Sequence, residues 1–461
     1  MSAPSLTVVT IAAIATPPGR GGIGVVRVSG GDLTALMHGV LGRVPVARTA
    51  TVATFRDARG APLDAGLALY FPAPHSYTGE SVLELQGHGG PAVLRLVLAR
   101  CVELGARLAQ PGEFTQRAFL NGKLDLVEAE SVADLIEAAT ATAARAAARS
   151  LSGAFSQEVN ALVSALIDLR MYTEATLDFP EEDIEFLRAG GVASKFAVIG
   201  ARVATALTRA RTGALLRAGL TVVLVGRPNV GKSSLLNRWS GEDAAIVTPI
   251  AGTTRDTVER QVELAGIPLT IIDTAGLRDA ADEVERIGIE RTWAAVARAD
   301  LALVLVDARA TDDALDPDDA ALLARLPATL PRIVVHNKTD LAAVAPTVVT
   351  RHDDGTPRRH VWLSAKSGDG LALLEAEVRA VTGATAVGED VILARERHVA
   401  ALRDAQVHLD AAAAHLRTQP PPVELFAEEL YGAQQALAAI TGEFTADDLL
   451  GEIFGRFCIG K

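Results

Sequence analysis

The sequence predicts a multidomain fold, α/β and all-α together, in which a doubly wound α/β domain interrupts a helical one. Three observations lead there. Four apolar runs, TVVLVG, PLTIIDTAG, ADLALVLVDA and RIVVHNK, have the unbroken texture of parallel strands buried on both faces. Alanine-rich sequence of helical spacing stands on both sides of them. Ahead of all this, residues 1–122 carry short β-prone runs separated by Gly and Pro turns.

Taken in order, TVVTIAAIAT, GIGVVRVSG, TVATF, GLALYFPAP and SVLELQGHGG read as strands of an N-terminal α/β domain, residues 1–122. Within it, PAVLRLVLARCVELGA reads as a helix with Val93, Leu96, Val97, Cys101 and Leu104 on one face, which makes Cys101 a core residue. Residues 123–217 turn to long helix, with Leu124, Val127, Ser131 and Leu135, then Leu162, Leu166 and Leu169, at helical spacing. The acidic break DFPEEDIEF reads as a solvated loop. Residues 218–384 form the doubly wound domain, closed by the linker TGATAVGED, and residues 385–461 return to helix. One helical domain split by an insertion is the simplest reading.

The length of 461 residues allows two to four domains of roughly 100–200 residues, each with its own core. The net charge of −12 excludes a polycation, but it is uneven: ten Arg against seven Asp and Glu make residues 1–122 net +3. An anionic ligand is therefore expected at the N-terminal end. Two cysteines, Cys101 and Cys458, exclude a disulfide framework and a multi-cysteine zinc site. No run of 18 apolar residues occurs and no basic n-region precedes the first apolar run, so a cytoplasmic protein without membrane partners is expected. Only six of the 44 basic residues are lysine: Lys123, Lys195, Lys232, Lys338, Lys366 and Lys461. Each marks a place to ask whether a compact ammonium is required.

GRPNVGKSS at 226–234 follows an apolar strand and opens a helix, the setting of a phosphate-binding P-loop. Backbone N–H groups around Asn229, Val230 and Gly231 would wrap the phosphates. Lys232 would reach their charge, Ser233 would offer a hydroxyl to Mg²⁺, and Ser234 completes the nucleotide-binding loop. DTAG (Asp273, Thr274, Ala275, Gly276) ends a strand; Asp273 is placed to hold Mg²⁺ through water and Gly276 to meet the γ-phosphate. NKTD (Asn337, Lys338, Thr339, Asp340) also ends a strand. Asp340 can accept from guanine N1–H and its 2-amino group while Asn337 serves the other edge, and adenine has neither of those donors. SAK (Ser364, Ala365, Lys366) would close over the base. Four motifs in this order make a guanine-nucleotide site on a Ras-like P-loop G domain, and they absorb three of the six lysines.

Hydrolysis needs a placed water and a charge stabiliser. Ras-like GTPases carry glutamine after the DxxG glycine; Leu277 stands there and cannot polarise water. Glu283, Glu285 and Glu290 follow, and an exposed acidic helix face is the plain alternative for each. Asn229 could ligate a monovalent cation, and GTTRD at 252–256 lies where switch I belongs, with Thr253 or Thr254 able to reach Mg²⁺. The terminal GRFCIGK places the Cys458 thiol near the cations Arg456 and Lys461, although a frayed tail is the ordinary expectation.

ATPPGRGGIGVVRVSG, YTGESVLELQGHGGP, PGEFTQRAFLNGKLDLVEAE, the G motifs and the terminal FCIGK together resemble the MnmE (TrmE) family of tRNA-modification GTPases, end to end. The resemblance implies an N-terminal domain that forms a homodimer and binds a 5-formyltetrahydrofolate-type donor through Arg27, Glu84, Lys123 and Lys461. It implies K⁺ ligands in Asn229, Thr248, Ile250 and Thr253, with Pro249, Ala251 and Gly252 in the same nucleotide loop, and Mg²⁺ ligands in Ser233 and Thr254. Glu285 matches the water-positioning carboxylate, and Cys458 a cysteine tied to modification; with Lys232 they are the catalytic candidates. It further implies a flavoprotein partner, MnmG (GidA), which carries the FAD, and tRNA bound mainly by the joint complex. The implied reaction adds an aminomethyl or carboxymethylaminomethyl group at C5 of the wobble uridine, supported by K⁺-stimulated hydrolysis of GTP to GDP and phosphate. The guanine-like edge of a pterin makes a carboxylate such as Glu84 a sensible receptor. A GTP-switched RNA- or ribosome-assembly factor is the alternative, and a folate-sensing scaffold is a third.

Overall fold

Short apolar runs bounded by glycine and proline become a six-stranded sheet in the N-terminal part. Its strands are β1 (Ile11–Ile14), β2 (Gly21–Gly30), β3 (Thr51–Arg56), β4 (Pro62–Phe71), β5 (Ser81–Gly89) and β6 (Arg107–Leu108), in the order β3-β4-β5-β2-β1-β6. All neighbours pair antiparallel except β1 and β6. Three helices, α1 (Thr34–Leu41), α2 (Pro91–Glu103) and α3 (Glu113–Leu120), accompany it. The computed structural model describes residues 9–177, 191–239, 259–264, 266–273, 296–309, 321, 323–353, 356–382, 391–442, 453–455, 457, 458 and 460.

Helix α2 starts on Pro91, whose fixed φ suits a first helical position. Its core face is Leu94, Val97 and Cys101, with Leu96 left 53% exposed. The expected face holds at Val97 and Cys101, with Leu104 packed against the same core, and fails at Leu96: Leu94 instead meets the sheet residues Val26, Val28 and Leu85 in one core. Cys101 is fully buried there, and burial pushes its thiol up to about 12, an inert core residue as expected.

The alanine-rich parts are α4 (Leu126–Glu137), α5 (Ala141–Leu151), α6 (Ala154–Leu177), α7 (Val192–Ala218), α11 (Glu396–Arg417) and α12 (Val423–Thr441). Leu162, Leu166 and Leu169 of α6 are buried as their spacing predicts, and α6 packs along α12. On α4, Val127 and Ser131 are buried, whereas Leu135 is 36% exposed. Ile453, Phe454 and Phe457 join Leu126, Ala129 and Ala133 of α4 in a separate cluster, so described residues of the terminal segment are held by apolar burial.

The second sheet contains β7 (Leu220–Val225), β8 (Glu259–Leu264), β9 (Ile267–Asp273), β10 (Leu301–Asp307), β11 (Arg332–Asn337), β12 (Thr347–Asp353) and β13 (Thr356–Leu363). Its order is β12-β13-β11-β10-β7-β9-β8, parallel inside, with antiparallel β12 and β8 at the edges. Helices α8 (Lys232–Trp239), α9 (Thr339–Ala342) and α10 (Leu371–Thr382) belong to it. Leu301 to Val306 are all buried, which is what an inner parallel strand covered on both faces requires. Each such Leu or Val contributes roughly 1.5–3 kcal/mol of burial.

Two compact units result. One comprises Met1–Ile136, Ser150–Ala201 and Asp404–Lys461; the other comprises Glu137–Arg149 and Arg202–Arg403. The second therefore takes in α5 residues and the end of α7, because Ala146, Ala147 and Leu216 are buried in the same core as β7 and β10. Among the described residues, no helix is long and apolar enough to cross a membrane.

Candidate nucleotide and N-terminal sites

The phosphate loop leaves β7 at Val225 and enters α8 at Lys232. Asn229 sits at φ 62° and Gly231 at φ 103°, which turn the backbone inward. A Cβ on Gly231 would lie 2.1 Å from the Asn337 Nδ2, so only glycine fits. Lys232 is 7% exposed, and its Nζ donates to the carbonyls of Gly226 at 2.5 Å and Arg227 at 3.1 Å. The ammonium is thus fixed inside the loop whose phosphate ligand it would neutralise. Val230 is buried, while Ser233 and Ser234 are exposed in the first turn of α8, where orphan N–H groups gather.

Asn337 ends β11, 2% exposed, and joins three motifs. Its Nδ2 donates to the Val230 carbonyl at 2.8 Å, and its Oδ1 accepts from the Ala365 N–H at 2.9 Å. The Val230 bond uses one of the two Nδ2 hydrogens. Lys338 follows at φ 71°, with Nζ 2.8 Å from the Asp307 Oδ2. Asp307 is held well below the usual carboxylate range by its bond to Arg309, against opposing burial and with help from Lys338. Thr339 is buried. Asp340 is exposed, and its Oδ1 accepts from the Ser364 hydroxyl at 2.7 Å, which orients the carboxylate. The Lys366 carbonyl accepts from Arg238 of α8 at 2.7 Å.

The structure therefore brings the GRPNVGKSS, NKTD and SAK residues together at the C-terminal ends of parallel strands, the usual ligand position in such sheets. Asp273 ends β9 beside Leu224 of β7. Thr248, Pro249, Ile250, Ala251, Gly252, Thr253, Thr254, Thr274, Ala275, Gly276, Leu277, Glu283, Glu285 and Glu290 lie outside the described residues, as does the acidic break. Sequence reasoning missed Asp307 and Arg238. A carboxylate closing the apolar run ADLALVLVDA was the available signal for the first; nothing local marked the second.

In the other unit, Arg27 of β2 and Glu84 of β5 are direct cross-strand partners. Arg27 Nε lies 3.0 Å and Nη2 2.9 Å from Glu84 Oε1, and Gln86 donates to Oε2 at 3.3 Å. The guanidinium lies 5.5 Å from the Tyr77 ring centre and 5.8 Å from that of Phe114. Its Nη1 reaches the Gly460 carbonyl at 3.5 Å. Gly460 has φ 99°, and a Cβ there would lie 2.4 Å from the Ile14 carbonyl oxygen, so the tail is seated where only glycine passes. Cys458 is exposed, and its carbonyl accepts from the Gly112 N–H at 3.4 Å. The Lys123 stem lies against Gly79 of the YTGE turn, and Lys461 is outside the described residues.

Glu80 is occupied differently: Arg117 Nη1 and the Ser29 hydroxyl each lie 2.8 Å from its Oε2. Arg117 also pairs with Glu113 at 2.9 Å, and Arg107 pairs with Glu113 at 2.5 Å. Burial opposes ionisation of Glu113, but the Arg107 bond, the Gln110 N–H and Arg117 outweigh it and hold the carboxyl at about 2. Its stabilising contribution is complete above the unfolded value near 4.5 and is lost as pH falls towards 2. Glu113→Gln is expected to cost about 2–3 kcal/mol at neutral pH. It should also flatten the fall in stability between those pH values, read by urea titration across the range.

Residues 10–123 match the family description GTP-binding protein TrmE N-terminus, and residues 126–458 match MnmE helical domain. The chain is 61% identical to the tRNA modification GTPase MnmE of Azoarcus sp. strain BH72 over 98% of both chains. To the protein of the same description in Ralstonia nicotianae it is 59% identical, covering 100% of this chain and 98% of that one. Among solved structures, it is similar to an Aquifex aeolicus Era variant bound to GDP and AlF4⁻, at 26% identity, covering 41% of this chain and 66% of that one, with a TM-score of 0.27.

Proposed function

The chain belongs to the MnmE family, and on that premise we propose that it is a GTP-hydrolysing enzyme of tRNA modification, acting as a cytoplasmic homodimer. With an FAD-bearing flavoprotein of the MnmG kind, it supports addition of an aminomethyl or carboxymethylaminomethyl group at C5 of the wobble uridine. A 5-formyltetrahydrofolate-type donor supplies the carbon. The observation that carries the nucleotide half is Asn337, which ties the phosphate loop to the loop of Ala365 while Ser364 orients Asp340. The family match over 98% of the chain, including its non-GTPase parts, weighs against the assembly-factor alternative.

Each site residue then has a physical task. Asp340 accepts from the guanine edge, and Lys232 with the loop N–H groups offsets phosphate charge. Ser233, Thr254 and Asp273 would hold Mg²⁺, which supplies Lewis-acid charge when bound; the exposed Ser233 hydroxyl in the first turn of α8 suits this. Asn229, Thr248, Ile250 and Thr253 would hold K⁺, and Glu285 would orient water in place of the unsuited Leu277. Arg27 and Glu84 form the polar floor of the folate site, with Lys123 and Lys461 as further cations. The paired charge near the Tyr77 and Phe114 rings suits a flat, polar-edged ligand. Cys458 stands exposed beside this region as the candidate thiol.

The reading is tested by nucleoside analysis of tRNA from a deletion strain complemented with this chain and its flavoprotein partner. Restored C5-modified wobble uridine is expected, and its absence would overturn the proposal. GTP hydrolysis should be on the order of tenfold faster in K⁺ than in Na⁺ at equal ionic strength. Asn229→Gly, which keeps the positive φ but removes the amide, should erase most of that difference. Equal rates in both salts would remove the cation from the mechanism.

A further inference from the structure

The loop on the base side of the nucleotide site, residues 364–369, is anchored unevenly. Its root is buried, with Ser364 1% and Ala365 3% exposed. There the Ser364 hydroxyl donates to the Asp340 carboxylate at 2.7 Å, and the Ala365 N–H donates to Asn337 Oδ1 at 2.9 Å. Its tip, Lys366 and Ser367, is exposed. Within the loop the Ser364 N–H donates to the Asp369 carbonyl and the Gly368 N–H to the Ser364 carbonyl, each at 2.9 Å. The tip therefore holds together as one turn.

One bond leaves that tip for α8, the helix that opens on the phosphate loop. The Lys366 carbonyl accepts from Arg238 Nη2 at 2.7 Å, and among the described residues it is the loop's one hydrogen bond to this helix. A Cβ at Gly368 would lie 3.3 Å from the same Nη2 and 3.5 Å from Cζ, so the guanidinium also rests against the glycine backbone. The phosphate end and the base end of the site are thus joined twice. The inner tie is Asn337, 2% exposed and bonded to Val230 and Ala365. The outer tie is the exposed Arg238, whose bond water can replace without any core group being left unpaired.

We propose that Arg238 is a clasp that sets how long a guanine nucleotide stays bound; the inference rests on the guanine-nucleotide reading of this site. Arg238 is a positioning residue, acting through the loop of Lys366 rather than on the ligand. A nucleotide enters before the tip has closed over its base, so the clasp adds little to association. Departure requires the tip to lift, and lifting it breaks the Arg238 bond, so the effect falls on dissociation. An exposed hydrogen bond of this kind is worth about three- to tenfold in that rate. The guanidinium suits the task, because its long stem spans from α8 and its planar fork donates to the carbonyl while lying against Gly368. The plain alternative is a cation in the last turn of α8 that favours the helix dipole. That role alters stability and leaves residence time alone.

The test follows GDP carrying a fluorescent ribose label on the full-length chain by stopped flow. Dissociation is read after mixing with excess unlabelled GDP, and association from the dependence of the binding rate on concentration. Arg238→Met, which keeps the stem and removes every donor, should speed dissociation about three- to tenfold and leave association within about twofold of wild type. Arg238→Lys, whose ammonium can still donate to the Lys366 carbonyl, should fall between the two. Equal dissociation rates in wild type and Arg238→Met would overturn the clasp, as would slower association with dissociation unchanged. Lower thermal stability of Arg238→Met at an unaltered dissociation rate would assign the residue to the helix dipole and overturn it too. The two levels separate in the wild-type trace. Labelled GDP held by wild type and released alike by the variant defeats the clasp alone, whereas a wild-type chain that holds no labelled GDP defeats the guanine-nucleotide reading and the clasp with it.

Discussion

Asp340→Asn is expected to exchange guanine for xanthine, weakening GTP binding about 10³-fold or more and admitting the xanthine nucleotide by a comparable factor. The carboxylate accepts from two guanine donors, and an amide in its place sets an NH₂ against them. Xanthine carries an oxygen where guanine has its amino group, so the same amide then finds an acceptor. The substitution should fold normally, because the amide oxygen can still accept from the Ser364 hydroxyl that now lies 2.7 Å from Oδ1. Competition binding with the two nucleotides decides the matter. Unchanged preference for guanine would remove NKTD from base recognition.

Gly231→Ala is expected to lower GTP affinity by at least about 100-fold while leaving the sheet folded. The φ of 103° disfavours any Cβ, and the added methyl would stand 2.1 Å from Asn337 Nδ2. Asn337 cannot step aside cheaply, since it is 2% exposed and bonded to both Val230 and Ala365. Moving it leaves a buried amide unsatisfied and loosens the phosphate loop and the base loop at once. Fluorescent-nucleotide titration reads the affinity, and far-UV circular dichroism reads the fold. Near-normal affinity would show that the loop tolerates the displacement.

What the sequence made legible was local. GRPNVGKSS declared itself because strand, glycine turn and helix start are contiguous. The inner strands β7, β10 and β11 did so because burial on both faces leaves an unbroken apolar run. Edge strands escaped notice: Glu259–Leu264 and Thr347–Asp353 carry charges, as strands at a sheet margin can. On α2 the sequence named Leu96 where Leu94 turns inward, because Leu94, Leu96, Val97 and Leu98 offer several apolar choices and only the opposing sheet selects among them. The role of Asp307 depends on Lys338, 31 residues on, and that of Arg238 on Lys366, 128 residues on. Likewise, alanine-rich sequence gave no sign that Glu137–Arg149 groups with the nucleotide unit, since its texture is the same on both sides of the division. In the N-terminal site the Arg27–Glu84 pairing follows from strand register, whereas its contact with Gly460 spans 433 residues and no periodicity encodes it.

That last contact has a consequence for biosynthesis. Arg27 emerges from the ribosome early and its Gly460 partner 433 residues later, with the nucleotide-binding unit made in between. Domains generally fold as units during synthesis, at about 5–20 residues per second. The inserted unit can therefore mature first, and Arg27 waits on the order of half a minute for the Gly460 carbonyl. A chain released before Gly460 would retain a complete nucleotide loop yet lack the seat that ties the tail to β1 and β2. Such a product would still pair Arg27 with Glu84 across β2 and β5, but its guanidinium would lack the Gly460 carbonyl.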